Sequence, residues 1–272
     1  MSILNKPSAI SHNAGQHKDI NSPSLSSMKN HRTFRKVLGK IFKGNTLYYP
    51  GCLSKFVAKE LVGNYKAILR DNGIDFIELA DLEICCGSPA LKAGYADDFK
   101  ELAEKNLKIF KDHSVSKIIT HCPACFMIFK KEYPKALGGR WNIEVEHTTE
   151  TLSKIKKIAR RKDIGNQKIT YHDPCHLGRE MGVFEEPRKI LRDLGCEIKE
   201  MELNCNQSFC CGGGGGVQSN EPNVANNIAK DRIAMAKKTG AKTLVTPCPL
   251  CYLNLKNNAE GEIEVKEFSE LI

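Results

Sequence analysis

Beyond residue 45, short apolar runs alternate along the chain with longer stretches in which apolar residues recur every three or four positions. The first pattern predicts buried strands and the second amphipathic helices. "TLYYP" at 46–50 reads as a strand closed by a Pro-Gly turn, and "KFVAKELVGNYKAILRDNG" as the helix after it. "IDFIEL" is the second strand, "FKELAEKNLKIFKD" the next helix and "KIITH" the third strand, with a short helix starting at "PACFMIFKK". After a bridging segment the order returns. Strand "KITYH", helix "PRKILRDLG", strand "CEIKEMEL", helix "VANNIAKDRIAMAKK" and strand "TLVTP" lead to a helix from "PLCYLNLKN". This alternation predicts an α/β fold of two Rossmann-like halves with mainly parallel sheets, one over 46–150 and one over 151–272.

The N-terminal region breaks the pattern. Residues 1–31 are rich in Ser, Asn, His and Lys and carry few large apolar side chains. Such a tail cannot bury enough surface to offset its ordering entropy, so it is expected to be disordered. Residues 32–45 predict a basic amphipathic helix. Phe34, Val37, Leu38, Ile41 and Phe42 form one apolar stripe, and Arg32, Arg35, Lys36, Lys40 and Lys43 occupy much of the remainder. Its apolar face either packs on the domain or docks, through 32–43, on a partner or an anionic membrane surface.

Composition narrows the class. With 41% hydrophobic and 27% charged residues the chain is ordinary for a soluble globular protein. No apolar run approaches the ~18–20 residues of a membrane span, and the N-terminus has no apolar signal core. A cytoplasmic, reducing location is expected. Twelve cysteines in such a chain argue for metal or cluster ligation, because disulfide scaffolds are mostly small and secreted. The formal charge of +9 raises nucleic-acid binding. The basic residues are spread through amphipathic segments with no aromatic-basic motif, and metal-bound thiolates would add negative charge that the count omits. No nucleic-acid partner is expected.

The cysteines repeat with the elements. Cys52, Cys85, Cys86, Cys122 and Cys125 lie in the first half, and Cys175, Cys210, Cys211, Cys248 and Cys251 in the second. Cys52 to Cys175 is 123 residues, Cys85 to Cys210 and Cys86 to Cys211 are 125, and Cys122 to Cys248 and Cys125 to Cys251 are 126. Five matched positions with so little drift mark an internal duplication. Each group follows the carboxyl end of a predicted strand, and in an open α/β sheet those ends share one edge. Two five-cysteine sites are therefore expected.

Local chemistry fits thiolate ligands. "CPAC" and "CPLC" place Pro after Cys at a helix start, where free N–H groups and the helix dipole favour thiolate. "YPGC" and "DPCH" are sharp turns that aim one cysteine each. Adjacent cysteines normally point apart, so ligation by both needs unusual backbone, which Gly87 and Gly212 can supply. Gly213 to Gly216 would then let backbone N–H groups approach cluster sulfurs.

Other readings of these motifs fare worse. The "GGGGG" run is not a phosphate loop, since no GK[ST] follows, and Val217 stands where a dinucleotide fingerprint needs its third Gly. A lone CxxC could be a thioredoxin-like redox pair, but both CxxC units sit in matched five-cysteine sets. Zinc closes a structural site with four ligands and would leave one cysteine over in each half. An iron–sulfur cluster is the more natural occupant, with zinc in one site as its competitor. Cys196 opens the apolar alternation "CEIKEMEL" and reads as a small buried hydrophobe, and Cys205 as a loop thiol. His121 and His172 read as hydrogen-bonding members of their turns. His176, directly after Cys175, is either that or a proton donor to a thiolate product.

Two copies of C-x(32–34)-CCG-x(34–35)-CxxC over 46–272 resemble the cysteine-rich CCG domain family. That family includes the catalytic B and D subunits of heterodisulfide reductases and iron–sulfur subunits of glycolate, lactate and glycerol-3-phosphate oxidation systems. The resemblance implies [4Fe–4S] clusters, noncubane in the heterodisulfide reductases. Cys52, Cys85, Cys86, Cys122 and Cys125 would hold one and Cys175, Cys210, Cys211, Cys248 and Cys251 the other. It also implies a multi-subunit oxidoreductase acting on a small-molecule disulfide or thiol. The alternatives are an electron-transfer subunit beside a flavin-dependent oxidation system and a zinc-stabilised assembly module without redox chemistry. Many relatives carry a ferredoxin module with CxxCxxCxxxCP runs, and none precedes residue 46. Electrons are therefore expected from a separate ferredoxin-like subunit, with a flavin subunit as a further partner.

Overall fold

The computed structural model describes residues 44–159 and 165–272. The expected tail over 1–31, and the basic helix as far as residue 43, lie outside the described residues. The strands are β1 (Asn45–Tyr48), β2 (Val115–Thr120), β3 (Glu144–His147), β4 (Lys168–Tyr171), β5 (Glu197–Ile198), β6 (Thr243–Thr246) and β7 (Glu264–Glu267). They form two sheets, β1-β2-β3 and β5-β4-β6-β7, and every pairing is parallel. The α/β fold of two parallel-sheet halves is the one the alternation predicts.

The duplication extends to topology. In the first half Ile77 makes a single parallel bridge to Leu47. That bridge takes the place β5 holds beside β4, so both halves run in the same order. Neither "IDFIEL" nor "CEIKEMEL" forms the strand its alternation predicts. The first gives one bridge and the second two paired residues. Both lie at a sheet edge and meet their neighbour over one or two residues only. β3 and β7 escape the sequence pattern because charged residues make up half of "EVEH" and three quarters of "EVKE". Each is selected by pairing with β2 or β6, which tertiary context alone provides.

The helices are α1 (Cys52–Phe56), α2 (Lys59–Asp71), α3 (Ser88–Lys92), α4 (Ala96–Asp112), α5 (Pro123–Met127), α6 (Tyr133–Leu137), α7 (Thr148–Ser153), α8 (Glu185–Asp193), α9 (Val217–Asn220), α10 (Pro222–Lys238) and α11 (Pro249–Asn258). The single helix expected over 55–73 is broken at Val57 and Ala58, where Ala58 takes φ −107°, ψ 58°. Ala58 and Leu61 are buried in one core cluster with Cys211, Cys251 and Tyr252 of the second half. A π-helical turn, Ile128–Glu132, joins α5 to α6.

Both sheets belong to one unit spanning Lys43–Ile272. Tyr48, Tyr65, Ile68 and Ile119 pack in one core with Ile169, Tyr171, Ile190, Val245 and Phe268. Tyr65 donates to the buried Glu267 Oε1 at 2.7 Å, which ties α2 of the first half to β7 of the second. Burial raises the Glu267 carboxyl to about 7, against the lowering effect of the Ser269 and Tyr65 hydrogen bonds.

Candidate metal centres

The parallel ladders put the carboxyl ends of β1 and β2 side by side, and likewise those of β4 and β6. Cys52 opens α1 just past β1, and Cys122 caps α5 just past β2. Cys175 follows β4 through the "DPC" turn, and Cys248 caps α11 just past β6. The adjacent pairs Cys85–Cys86 and Cys210–Cys211 enter from loops that follow the edge segments at 77 and 197–198.

Within each half the five thiols interact electrostatically as one chain of neighbours. In the first it runs Cys52, Cys85, Cys86, Cys125, Cys122. In the second it runs Cys175, Cys210, Cys211, Cys251, Cys248. The order is the same at all five positions. Cys86, Cys125, Cys211, Cys248 and Cys251 are buried, whereas Cys52, Cys85, Cys122, Cys175 and Cys210 are half-buried. Each centre therefore has a closed inner side and an accessible outer one.

The electrostatics are matched too. Cys85 is held low because it accepts from Cys52 and then from Cys86, and Cys210 because it accepts from Cys175 and then from Cys211. The donors Cys52 and Cys175 are correspondingly pushed up. Backbone N–H groups reinforce the thiolates. Gly87 donates to Cys85 Sγ at 3.4 Å, Gly212 to Cys210 Sγ at 3.3 Å and Gly213 to Cys211 Sγ at 3.4 Å. Cys122 is held low first by Cys125 and then, against burial, by the N–H groups of Cys125 and Ala124 at the helix start.

Glycines make the paired geometry feasible. Gly87 and Gly212 follow the pairs at φ +87° and +83°, which side chains rarely adopt. The rest of the run differs from position to position. Gly216, at φ +78°, caps α9, and a Cβ on Gly214 would meet nothing within 4 Å. Gly51 reads in the sequence only as part of a turn. A Cβ there would stand 2.9 Å from Cys125 Sγ, so its absence opens the first centre.

The "DPC" turn is fixed by a side chain that no sequence motif singles out. Arg188, 1% exposed, donates through both terminal nitrogens to Asp173 at 2.7 and 2.8 Å and also bonds Glu200. Asp173 Oδ2 additionally accepts from the Cys205 N–H at 2.9 Å. The only hint in the sequence is an Arg on the inner face of an amphipathic helix. Arg188→Ala leaves Asp173 buried without its counter-charge, which should cost about 3–5 kcal/mol in urea denaturation. A loss below about 1 kcal/mol would show that the pair behaves as a surface bridge.

The histidines divide. His121 is fully buried with both ring nitrogens partnered, Nδ1 by Tyr48 Oη at 2.9 Å and Nε2 by Ser54 Oγ at 2.8 Å, as a turn-ordering residue should be. Lys92 of the first half donates to His176 Nε2 at 2.8 Å, leaving the ring proton on Nδ1, 3.8 Å from Cys175 Sγ. Burial, then Lys92, holds His176 below its usual range. His172 lies among Cys211 and Cys251, with its acting ring nitrogen and their Sγ atoms within 4.8 Å of one another. Cys196 is buried in the shared core, and Cys205 is half-buried in a loop with φ +48°. No helix among the described residues is long and apolar enough to cross a membrane.

The chain has relatives among known proteins. Over 240 residues it is 36% identical to the D subunit of the dihydromethanophenazine:CoB–CoM heterodisulfide reductase of Methanosarcina acetivorans, covering 85% of this chain and 58% of that one. It is 34% identical over 244 residues to the EtfAB:quinone oxidoreductase of Syntrophomonas wolfei, covering 82% and 33%. The chain thus spans about half or less of the length of these relatives. A hypothetical protein from Helicobacter pylori superimposes with a TM-score of 0.62 at 11% identity, covering 91% of this chain and 54% of that one, a likeness of fold alone. The model of the CCG cysteine-rich domain matches at residues 46–130 and again at 169–256, one match on each five-thiol centre, and the chain belongs to that family.

Proposed function

We propose that the chain is an iron–sulfur redox subunit of a multi-subunit oxidoreductase that reduces a small-molecule disulfide. The observation that carries this reading is the pair of five-thiol chains, identical in order, at equivalent sheet edges. Soft thiolates in that number suit iron and sulfide better than zinc, which closes with four ligands. The donors fit: backbone N–H groups already point at Cys85, Cys210 and Cys211, and Gly51 clears space beside Cys125. Cys52, Cys85, Cys86, Cys122 and Cys125 would hold one [4Fe–4S] cluster and Cys175, Cys210, Cys211, Cys248 and Cys251 the other. When bound, the clusters supply single electrons and a thiophilic metal face.

The chain's own residues supply the rest. The buried thiols close the inner side of each centre, so a disulfide approaches from the side of Cys52 and Cys85 or of Cys175 and Cys210. His176 is the proton donor. Its Nδ1–H faces Cys175 Sγ, and Lys92 can restore the proton through Nε2. Electrons come from a ferredoxin-like or flavin subunit.

Similarity to the EtfAB:quinone oxidoreductase favours one other reading, electron transfer alone within a flavin-linked system. Anaerobic purification with iron, sulfide and zinc analysis, followed by assay of small disulfides with reduced viologen, separates the possibilities. Iron with sulfide and disulfide turnover are expected. Intact clusters without turnover would leave electron transfer, and zinc without iron would overturn the cluster assignment.

A further inference from the structure

The two centres are matched in their thiols but not in what stands behind them. His172 lies three residues before Cys175, as Tyr49 lies three before Cys52. Arg232 lies ten residues after the start of α10, as Asn106 lies ten after the start of α4. The equivalent position is also equivalent in space. Tyr49 packs in one cluster with Cys86 and Cys125, the counterparts of the Cys211 and Cys251 that flank His172.

In the first half this pair is neutral and its hydrogen bonds are turned away from sulfur. The Tyr49 hydroxyl donates to Ile84 O at 2.7 Å, and Asn106 Nδ2 to Cys85 O at 2.9 Å. In the second half the pair is His and Arg. Arg232, fully buried, donates from Nε to His172 Nδ1 at 3.0 Å, from Nη1 to Leu203 O and from Nη2 to Ser208 Oγ. No carboxylate among the described residues bonds it, and the nearby Asp173 is engaged by Arg188.

The Arg232 contact decides the tautomer. A guanidinium only donates, so His172 Nδ1 accepts and the ring proton resides on Nε2. That Nε2–H is buried and has no hydrogen-bond partner. A buried donor left unsatisfied costs about 1–3 kcal/mol, and the Cys211 and Cys251 Sγ atoms lie within 4.8 Å of a nitrogen of this ring. The same tautomer rules out His172 as a metal ligand, because ligation at Nε2 would force a second proton donor against Arg232.

We infer that the His172–Arg232 pair is a positioning device that directs one N–H and a buried positive charge at the second centre, so that the second centre is the more oxidising of the two. It rests on the cluster reading above. Hydrogen bonds to sulfur and nearby positive charge both favour the reduced, more negative state of a cluster. An electron shared by the two centres then resides at the second.

The test uses the anaerobically prepared full chain with each centre isolated in turn, the second in Cys86→Ser and the first in Cys211→Ser. EPR-monitored redox titration should give the higher potential for the second centre. His172→Phe should move it to more negative values without moving the first, and His172→Gln, which keeps an N–H, should restore most of the shift. With 15N-labelled histidine, the reduced second centre should show a weak nitrogen coupling. That measurement is made on a chain with His172 intact, so it stands even if His172→Phe loses its iron. A strong coupling from a directly bound nitrogen, no coupling, or equal potentials in the two centres would overturn the inference while leaving the cluster reading in place. A wild-type chain without iron would overturn both.

Discussion

Cys86→Ser and Cys211→Ser should each remove about half of the bound iron and sulfide, and the double variant nearly all, because each residue is the middle link of its own thiol chain. Cys86 joins Cys85 to Cys125, and Cys211 joins Cys210 to Cys251, each only 3% exposed. Serine is a harder and far less acidic ligand, and it cannot take up the sulfur's place between two neighbours. The remaining centre should survive because its five thiols come from a separate sheet. Anaerobic iron and sulfide analysis per chain checks this, with circular dichroism to show that the fold persists. Full iron in either single variant would remove that cysteine from the ligand set. Total loss in one single variant would show that the shared core makes the two centres one cooperative unit.

Gly212→Val should unfold the second half. Gly212 sits at φ +83°, and a Cβ there would lie 2.4 Å from Ala225 O and 3.1 Å from Ile228 Cβ. Both atoms belong to α10, and a backbone carbonyl in a helix cannot swing aside as a side chain can. Strain and overpacking together should exceed about 4 kcal/mol. Gly87→Val is the first-half comparison. There the added Cβ meets the Phe99 ring at 2.7 Å, a side chain with some freedom to move, so the loss should be smaller. Gly214→Ala meets nothing within 4 Å and should change stability by less than about 0.5 kcal/mol. Denaturant unfolding of the three variants checks the ranking. Equal tolerance at 212 and 214 would mean that the glycine run is only a connector.

The sequence by itself determined the duplication, the alternating α/β order and which ten cysteines form two matched sets. Those features are written in covalent spacing and in apolar periodicity, both of which are local and countable. It also marked Gly212 as sensitive for its backbone conformation, which φ +83° matches, and the structure adds a conflict with α10. What sequence periodicity could not decide was which edge segments pair. "CEIKEMEL" has the better alternation, yet β7, from the charged "EVKE", is the longer strand because β6 offers it a full ladder. The break at Val57 and Ala58 was equally hidden, since it serves packing with residues of the second half that no local window contains. The difference between the two centres belongs to tertiary structure as well. His172 and Arg232 are 60 residues apart and look like an ordinary turn histidine and an ordinary helix arginine. Only the packing of α10 on the second sheet joins them and fixes the ring proton on Nε2.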